Sequence, residues 1–123
     1  MINSAVYSEI IGTGSYIPAR IVANKEIEDA ISVNSGWIKK RTGIITRRFA
    51  AANEASSDLA AKAAKNALKT AGVSAEDIDV IIVSTTSPDM PFPAAACFVQ
   101  DKIGARNAFA FDISASCAGF LYA

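Results

Sequence analysis

Ile78 to Thr85 is an almost continuous β-branched run, and it constrains the fold more than any other stretch of the chain. A run without apolar–polar alternation predicts a strand covered on both faces, as in a parallel sheet. The residues after it fit a crossover back to such a sheet. Pro88, Pro91 and Pro93 mark a rigid loop, and Pro93 can open a helix at its first position. That helix is expected to end near Gly104, and Ala108 to Ile113 reads as the next buried strand.

The rest of the chain extends the same pattern. Ser8 to Gly12 reads as a first strand centred on Ile10 and Ile11. Gly12-Thr13-Gly14-Ser15 lacks the third glycine of a dinucleotide fingerprint, so it reads as a tight turn rather than a nucleotide cradle. Asn24 is expected to cap a short helix carrying Ile27, Ala30 and Ile31. Ser35 is expected to cap another carrying Trp37, Ile38 and Arg41, ended by Gly43. The clearest helix spans about 57–71. Ala60, Ala64, Ala67, Leu68 and Ala71 form an apolar stripe, Lys62, Lys65 and Lys69 lie opposite, and Gly72 supplies the stop. Asp58 and Lys62 are spaced as an i,i+4 pair, and Ser74-Ala75-Glu76-Asp77 has capping-box spacing. The element order is that of the α/β class with crossover connections.

Composition excludes several function classes. The chain has 123 residues, 51% of them apolar, which suits one modest domain with a buried core. Zero net charge gives no basic excess for nucleic acid. Apolar runs are too short to span a membrane, and residues 1–7 lack the pattern of a signal peptide. These features predict a cytoplasmic protein with neither nucleic-acid nor membrane partners. Two cysteines and no histidine cannot complete a structural zinc site in the usual way.

Four residues stand out as candidates for chemistry. Cys117 follows an apolar strand and small residues, at the expected start of a helix, where exposed N–H groups and the helix dipole favour a thiolate. It reads as a nucleophile for acyl transfer, or equally as an inert thiol filling a tight strand–helix junction. Cys97, among alanines in the expected helix after Pro93, reads as packing. Trp37 and Arg41 share a helix face and could stack on a purine while holding a phosphate. From spacing alone, a cation–π pair that covers the core is the favoured reading of these two. Phe92 sits between Pro91 and Pro93 on a stiff loop. It either plugs an apolar pocket, its own or a neighbour's, or caps a core edge.

Several segments resemble the N-terminal part of beta-ketoacyl-acyl-carrier-protein synthase III. They are Ile11-Gly12-Thr13-Gly14-Ser15-Tyr16-Ile17-Pro18, Trp37-Ile38-Lys39-Lys40-Arg41-Thr42-Gly43-Ile44, Ser84-Thr85-Thr86-Ser87, Phe92-Pro93-Ala94-Ala95-Ala96-Cys97 and Ser116-Cys117-Ala118-Gly119-Phe120. The resemblance implies a thiolase-like fold, with residues 1–123 a single partial domain. That domain is the N-terminal half of a five-layered α-β-α-β-α sandwich, the other half being absent. It implies a homodimer that begins bacterial fatty-acid synthesis. A short acyl-coenzyme A acylates the cysteine, and condensation with malonyl-acyl carrier protein comes next, with loss of carbon dioxide. Coenzyme A enters as a thioester substrate, and no cofactor is implied. By the same resemblance Cys117 is the nucleophile, Trp37 and Arg41 clamp the coenzyme A adenine, and Phe92 reaches across the dimer to shape the partner's acyl pocket. The family's histidine and asparagine lie in the other half. The chain is therefore expected to be one segment of a longer polypeptide, unable to complete the condensation alone. Val33 and Gly36 depart from the polar or acidic residues common before the tryptophan, and Ser114 and Ser116 from the alanine or glycine common near the nucleophile. Two alternatives remain at this level. One is another thiolase-fold synthase, of the 3-hydroxy-3-methylglutaryl-coenzyme A or secondary-metabolite type. The other is a non-catalytic dimerisation fragment.

Overall fold

The computed structural model describes residues 7–123; the first six, which belong to the stretch tested for a signal peptide, lie outside the described residues. The chain divides into two compact units. One comprises the N-terminal segment through Tyr16 together with Ser56–Ala123, and the other is Ile17–Ala55.

In the larger unit the two apolar runs form the expected parallel pair, but they are not covered on both faces as expected: no residue of either strand is buried, and Val80, Phe109 and Phe111 are exposed. Strand β3 (Val80–Ser84) lies beside β4 (Phe109–Ile113), in register from Val80 opposite Phe109 to Ser84 opposite Ile113. Helix α4 (Ala95–Ile103) is the crossover, and it packs on α3 (Ser56–Ala71). The buried residues here are small: Ala61 on α3, Ala95, Ala96 and Val99 on α4, and Ala105 and Ala108 beyond it. Small side chains let neighbouring backbones approach closely. Gly72 and Gly104 end the two helices in left-handed conformation, as their positions predict. Ser74 caps a 3-10 turn (Ala75–Asp77) by accepting from the Glu76 N–H.

Three further expectations for this unit are corrected. Residues 8–12 form no strand; Ile10 and Ile11 are exposed, and the segment lies extended without a ladder. Its glycines do not make a tight turn either. They press against the alanine stripe of α3. A Cβ on Gly12 would stand 2.7 Å from the Ala71 Cβ, and one on Gly14 would collide with the backbone at Ala63 and Ala67. Asn66 and Lys62 of α3 donate to the Ser15 carbonyl and the Tyr16 hydroxyl, at 2.9 and 3.0 Å, and hold the segment there. Pro93 does not open α4. The Phe92–Pro93 bond is cis, the helix begins at Ala95, and its first N–H groups are taken by a distant side chain. Asp112, on β4, accepts from Ala95 N–H at 2.7 Å and Ala96 N–H at 2.8 Å.

The smaller unit contains two strands that the sequence reading missed. Strand β1 (Arg20–Ala23) runs antiparallel to β2 (Thr46–Phe49), with Arg20 opposite Phe49 and Ala23 opposite Thr46. Four-residue strands rich in arginine carry little hydrophobic periodicity to detect. Only Val22 is buried in them. Helix α1 (Asn24–Ala30) has no side-chain cap. Asn24 instead donates to the Ile44 carbonyl at 2.7 Å and accepts from Arg47 at 2.6 Å, which ties the helix to β2. Helix α2 (Trp37–Thr42) is not capped by Ser35 either. Its preceding Gly36 is left-handed, at φ 82°, and Glu28 of α1 accepts from Gly36 N–H at 3.0 Å and Ile38 N–H at 2.9 Å. Gly43 ends α2 as expected.

Candidate active site

The parallel ladder delivers the ends of β3 and β4 side by side. Ser84 faces Ile113, and the Thr85 N–H extends the ladder by one bond to the Ile113 carbonyl, at 3.1 Å. In open α/β sheets ligands bind beyond the carboxyl ends of the strands. Cys117 stands four residues past β4, in a 3-10 turn (Ser116–Ala118) leading into α5 (Gly119–Tyr122). Its thiol is exposed and opens on a cleft of about 510 Å³, lined by Ser84, Thr85, Thr86, Ser87 and Ser116. Five hydroxyl-bearing residues thus line the cleft together with Cys117. Cys117 is therefore not buried in the strand–helix junction.

Two backbone features hold the turn in place. Ser116 has φ 46°, a left-handed conformation uncommon outside glycine, immediately before the thiol. Such outliers persist only where surrounding structure over-determines them, and they cluster at functional sites. Gly119, two residues after the thiol, is buried against Ser84, and a Cβ there would fall on the serine hydroxyl. Glycine therefore lets the turn settle onto the end of β3. The expected helix start at Cys117 is corrected in detail: the cysteine is inside the 3-10 turn, and α5 begins two residues later, at Gly119.

Trp37 and Arg41 are brought together on α2, with the guanidinium carbon 4.4 Å from the indole centroid. The helix has no buried residue, and Trp37 is 40% exposed. The pair therefore does not cover a core; it is displayed to solvent as a ready aromatic–cationic surface. Phe92 is 87% exposed on the loop before α4, so it fills no pocket of its own unit and caps no core edge. Cys97 is half-buried within α4.

Sequence reasoning missed the carboxylates that organise these elements. Asp112 in β4 and Glu28 in α1 each secure the start of a preceding or following helix, and Asp89 does the same for α3, accepting from Ser57 N–H at 2.8 Å and Ser57 Oγ at 2.5 Å. The available signal was charge in apolar surroundings: Asp112 interrupts an apolar strand, and a buried charge without a partner is expensive. Among the described residues no cluster of three or more histidine, cysteine, aspartate or glutamate side chains could hold a metal ion. No helix among them is long and apolar enough to cross a membrane.

No family model matches the chain. Curated relatives do. It is 53% identical over 114 residues to beta-ketoacyl-[acyl-carrier-protein] synthase III of Desulfotalea psychrophila, covering 93% of this chain and 35% of that protein. A synthase III of Halalkalibacterium halodurans is likewise 53% identical over 113 residues, covering 92% and 36%. Among solved structures, the 3-oxoacyl-[acyl-carrier-protein] synthase III of Aquifex aeolicus superposes with a TM-score of 0.87 at 44% identity, covering 94% of this chain and 37% of that one. The priming beta-ketosynthase of a polyketide pathway gives the same TM-score at 39% identity, covering 93% and 34%. The fold is thus that of the thiolase-like condensing enzymes, and the chain spans about a third of the length of the relatives it matches.

Proposed function

We infer that this chain, a homologue of beta-ketoacyl-acyl-carrier-protein synthase III across nearly all of its own length, supplies the nucleophile and the coenzyme A clamp of such an enzyme. The reaction it serves is the initiating condensation of bacterial fatty-acid synthesis. The observation that carries this reading is the exposed Cys117 at the carboxyl ends of two parallel strands, in a cleft free of bulky side chains. The Cys117 thiolate attacks the carbonyl carbon of a short acyl-coenzyme A, and the C–S bond to coenzyme A breaks, leaving the acyl group on the enzyme and coenzyme A as a thiolate that takes a proton from solvent. Backbone N–H groups of the turn face the developing oxyanion. Malonyl-acyl carrier protein then loses carbon dioxide, its carbanion attacks the acyl-enzyme carbonyl, and the Cys117 sulfur departs. Trp37 stacks on the adenine while Arg41 holds a phosphate.

This chain has no histidine, so the decarboxylating groups come from the rest of a longer polypeptide, of which residues 1–123 form a partial domain. The enzyme acts in the cytoplasm as a homodimer, and the exposed Phe92 enters the partner's acyl site. Coenzyme A serves as substrate, and no cofactor is required.

Incubation with acetyl-coenzyme A tests the reading. An acetyl adduct on Cys117, absent from Cys117→Ala, is the expected result; an unmodified thiol overturns it. A second reading, priming of a secondary-metabolite pathway, is supported by the polyketide ketosynthase with a TM-score of 0.87. Its signature would be preference for longer or branched acyl donors over acetyl.

A further inference from the structure

We propose that Asp89 is a positioning residue for the cleft: by tying loop 86–94 to the start of α3, it fixes the hydroxyl wall facing Cys117 and so sets how acyl donors are received. The inference rests on the acyl-transfer reading of Cys117. Three observations carry it. First, the β3–β4 ladder ends with the bond from Thr85 N–H to Ile113, so the sheet does not hold Thr86 and Ser87. Yet both residues line the cleft beside the sulfur. Second, apart from a local bond from Ser87 N–H to Thr85 Oγ1 at 3.1 Å, it is α3 that holds this segment. Ser56 Oγ donates to the Ser87 carbonyl at 2.6 Å. Both Asp89 carboxylate oxygens are occupied by Ser57, one by its N–H and the other by its hydroxyl. Third, this contact is enclosed. Ser57 is fully buried, and Lys102 of α4 donates to its hydroxyl while pairing with Asp58 at 2.8 Å.

At its far end the loop is secured separately, by Asp112 on the first N–H groups of α4. Loop 86–94 is thus pinned at each end by an aspartate on backbone N–H groups of a helix start, while Phe92 between them stays exposed. Carboxylate-to-N–H bonds are about twice as strong as neutral ones, so Asp89 dominates the near anchor. Asp89 itself lines no part of the cleft, and it therefore acts through Thr86 and Ser87. A displacement of about 1 Å in groups that receive a substrate lowers its reactivity by up to about a hundredfold.

The test uses the full-length polypeptide that carries these residues, as wild type and as Asp89→Asn. Two rates are measured at Cys117 by mass spectrometry: acylation across a range of acetyl-, butyryl- and hexanoyl-coenzyme A concentrations, and alkylation by iodoacetamide, which is too small to read the wall. The expected result is an approximately tenfold loss of acylation efficiency, with altered ratios among the three donors and alkylation within about twofold of wild type. Should Asp89→Asn not fold, Ser56→Ala removes only the bond to the Ser87 carbonyl and is expected to shift the same ratios by about threefold. Unchanged acylation and donor ratios overturn the positioning role. So does a parallel loss of acylation and alkylation, which marks disruption of the thiol itself. A wild-type enzyme that no donor acylates overturns the acyl-transfer reading instead.

Discussion

The Cys117 cleft and the Trp37–Arg41 surface are built by opposite means. Around Cys117 the backbone itself is the tool. Two parallel strands end together, glycines press turn and segment onto their neighbours, and Ser116 takes a left-handed conformation. Around Trp37 a six-residue helix with no buried residue is held at its start by one buried glutamate. The nucleophile proposed at Cys117 would have to be placed to a fraction of an ångström, which favours backbone close packing. The stacking surface proposed at Trp37 and Arg41 would tolerate movement, so a side-chain tether is enough. The two regions are therefore expected to fail differently when disturbed.

The largest effect is expected in the larger unit, from Gly14→Ala. The added Cβ collides with backbone of α3, which cannot swing aside, and about 3 kcal/mol of stability is expected to be lost. Denaturant titration of the full-length polypeptide measures it, and a loss under about 1 kcal/mol would show that the close approach is not required. Glu28→Gln is next. Glu28 is 2% exposed and accepts from two N–H groups. The amide replaces one acceptor by a donor, at a cost of about 1–3 kcal/mol. Hydrogen exchange is expected to accelerate in α2 and leave β3 and β4 unchanged. Equal acceleration in both regions would break the comparison. The smallest effect is a gain. Ser116→Gly relieves a left-handed serine and is expected to stabilise by about 0.5–1 kcal/mol, if the glycine's extra freedom in the unfolded chain does not cancel it. A measured loss of stability would mean that the serine hydroxyl contributes more than its backbone strain costs.

Much of the larger unit was legible in sequence because its signals are local and periodic. The runs at β3 and β4, the alanine stripe of α3 and the stops at Gly72 and Gly104 each depend on a few neighbouring residues. The Trp37–Arg41 pair was legible for the same reason, since four residues on a helix fix the contact. The segment at 8–12 misled, because an isoleucine pair reads as strand whether or not a neighbouring strand accepts it.

Sequence alone determined where the helices and parallel strands of the larger unit run, where they stop, and that Cys117 follows a strand among small residues. Tertiary structure decided how the helices begin. Asn24, Ser35 and Pro93 are each the kind of residue that starts a helix locally, and none of them caps one here. Two of those starts and that of α3 belong to Glu28, Asp112 and Asp89, side chains 8 to 32 positions away along the chain. An N–H group is satisfied by any acceptor within about 3 Å. Which acceptor arrives there depends on how the chain folds back, and no local pattern of residues records that.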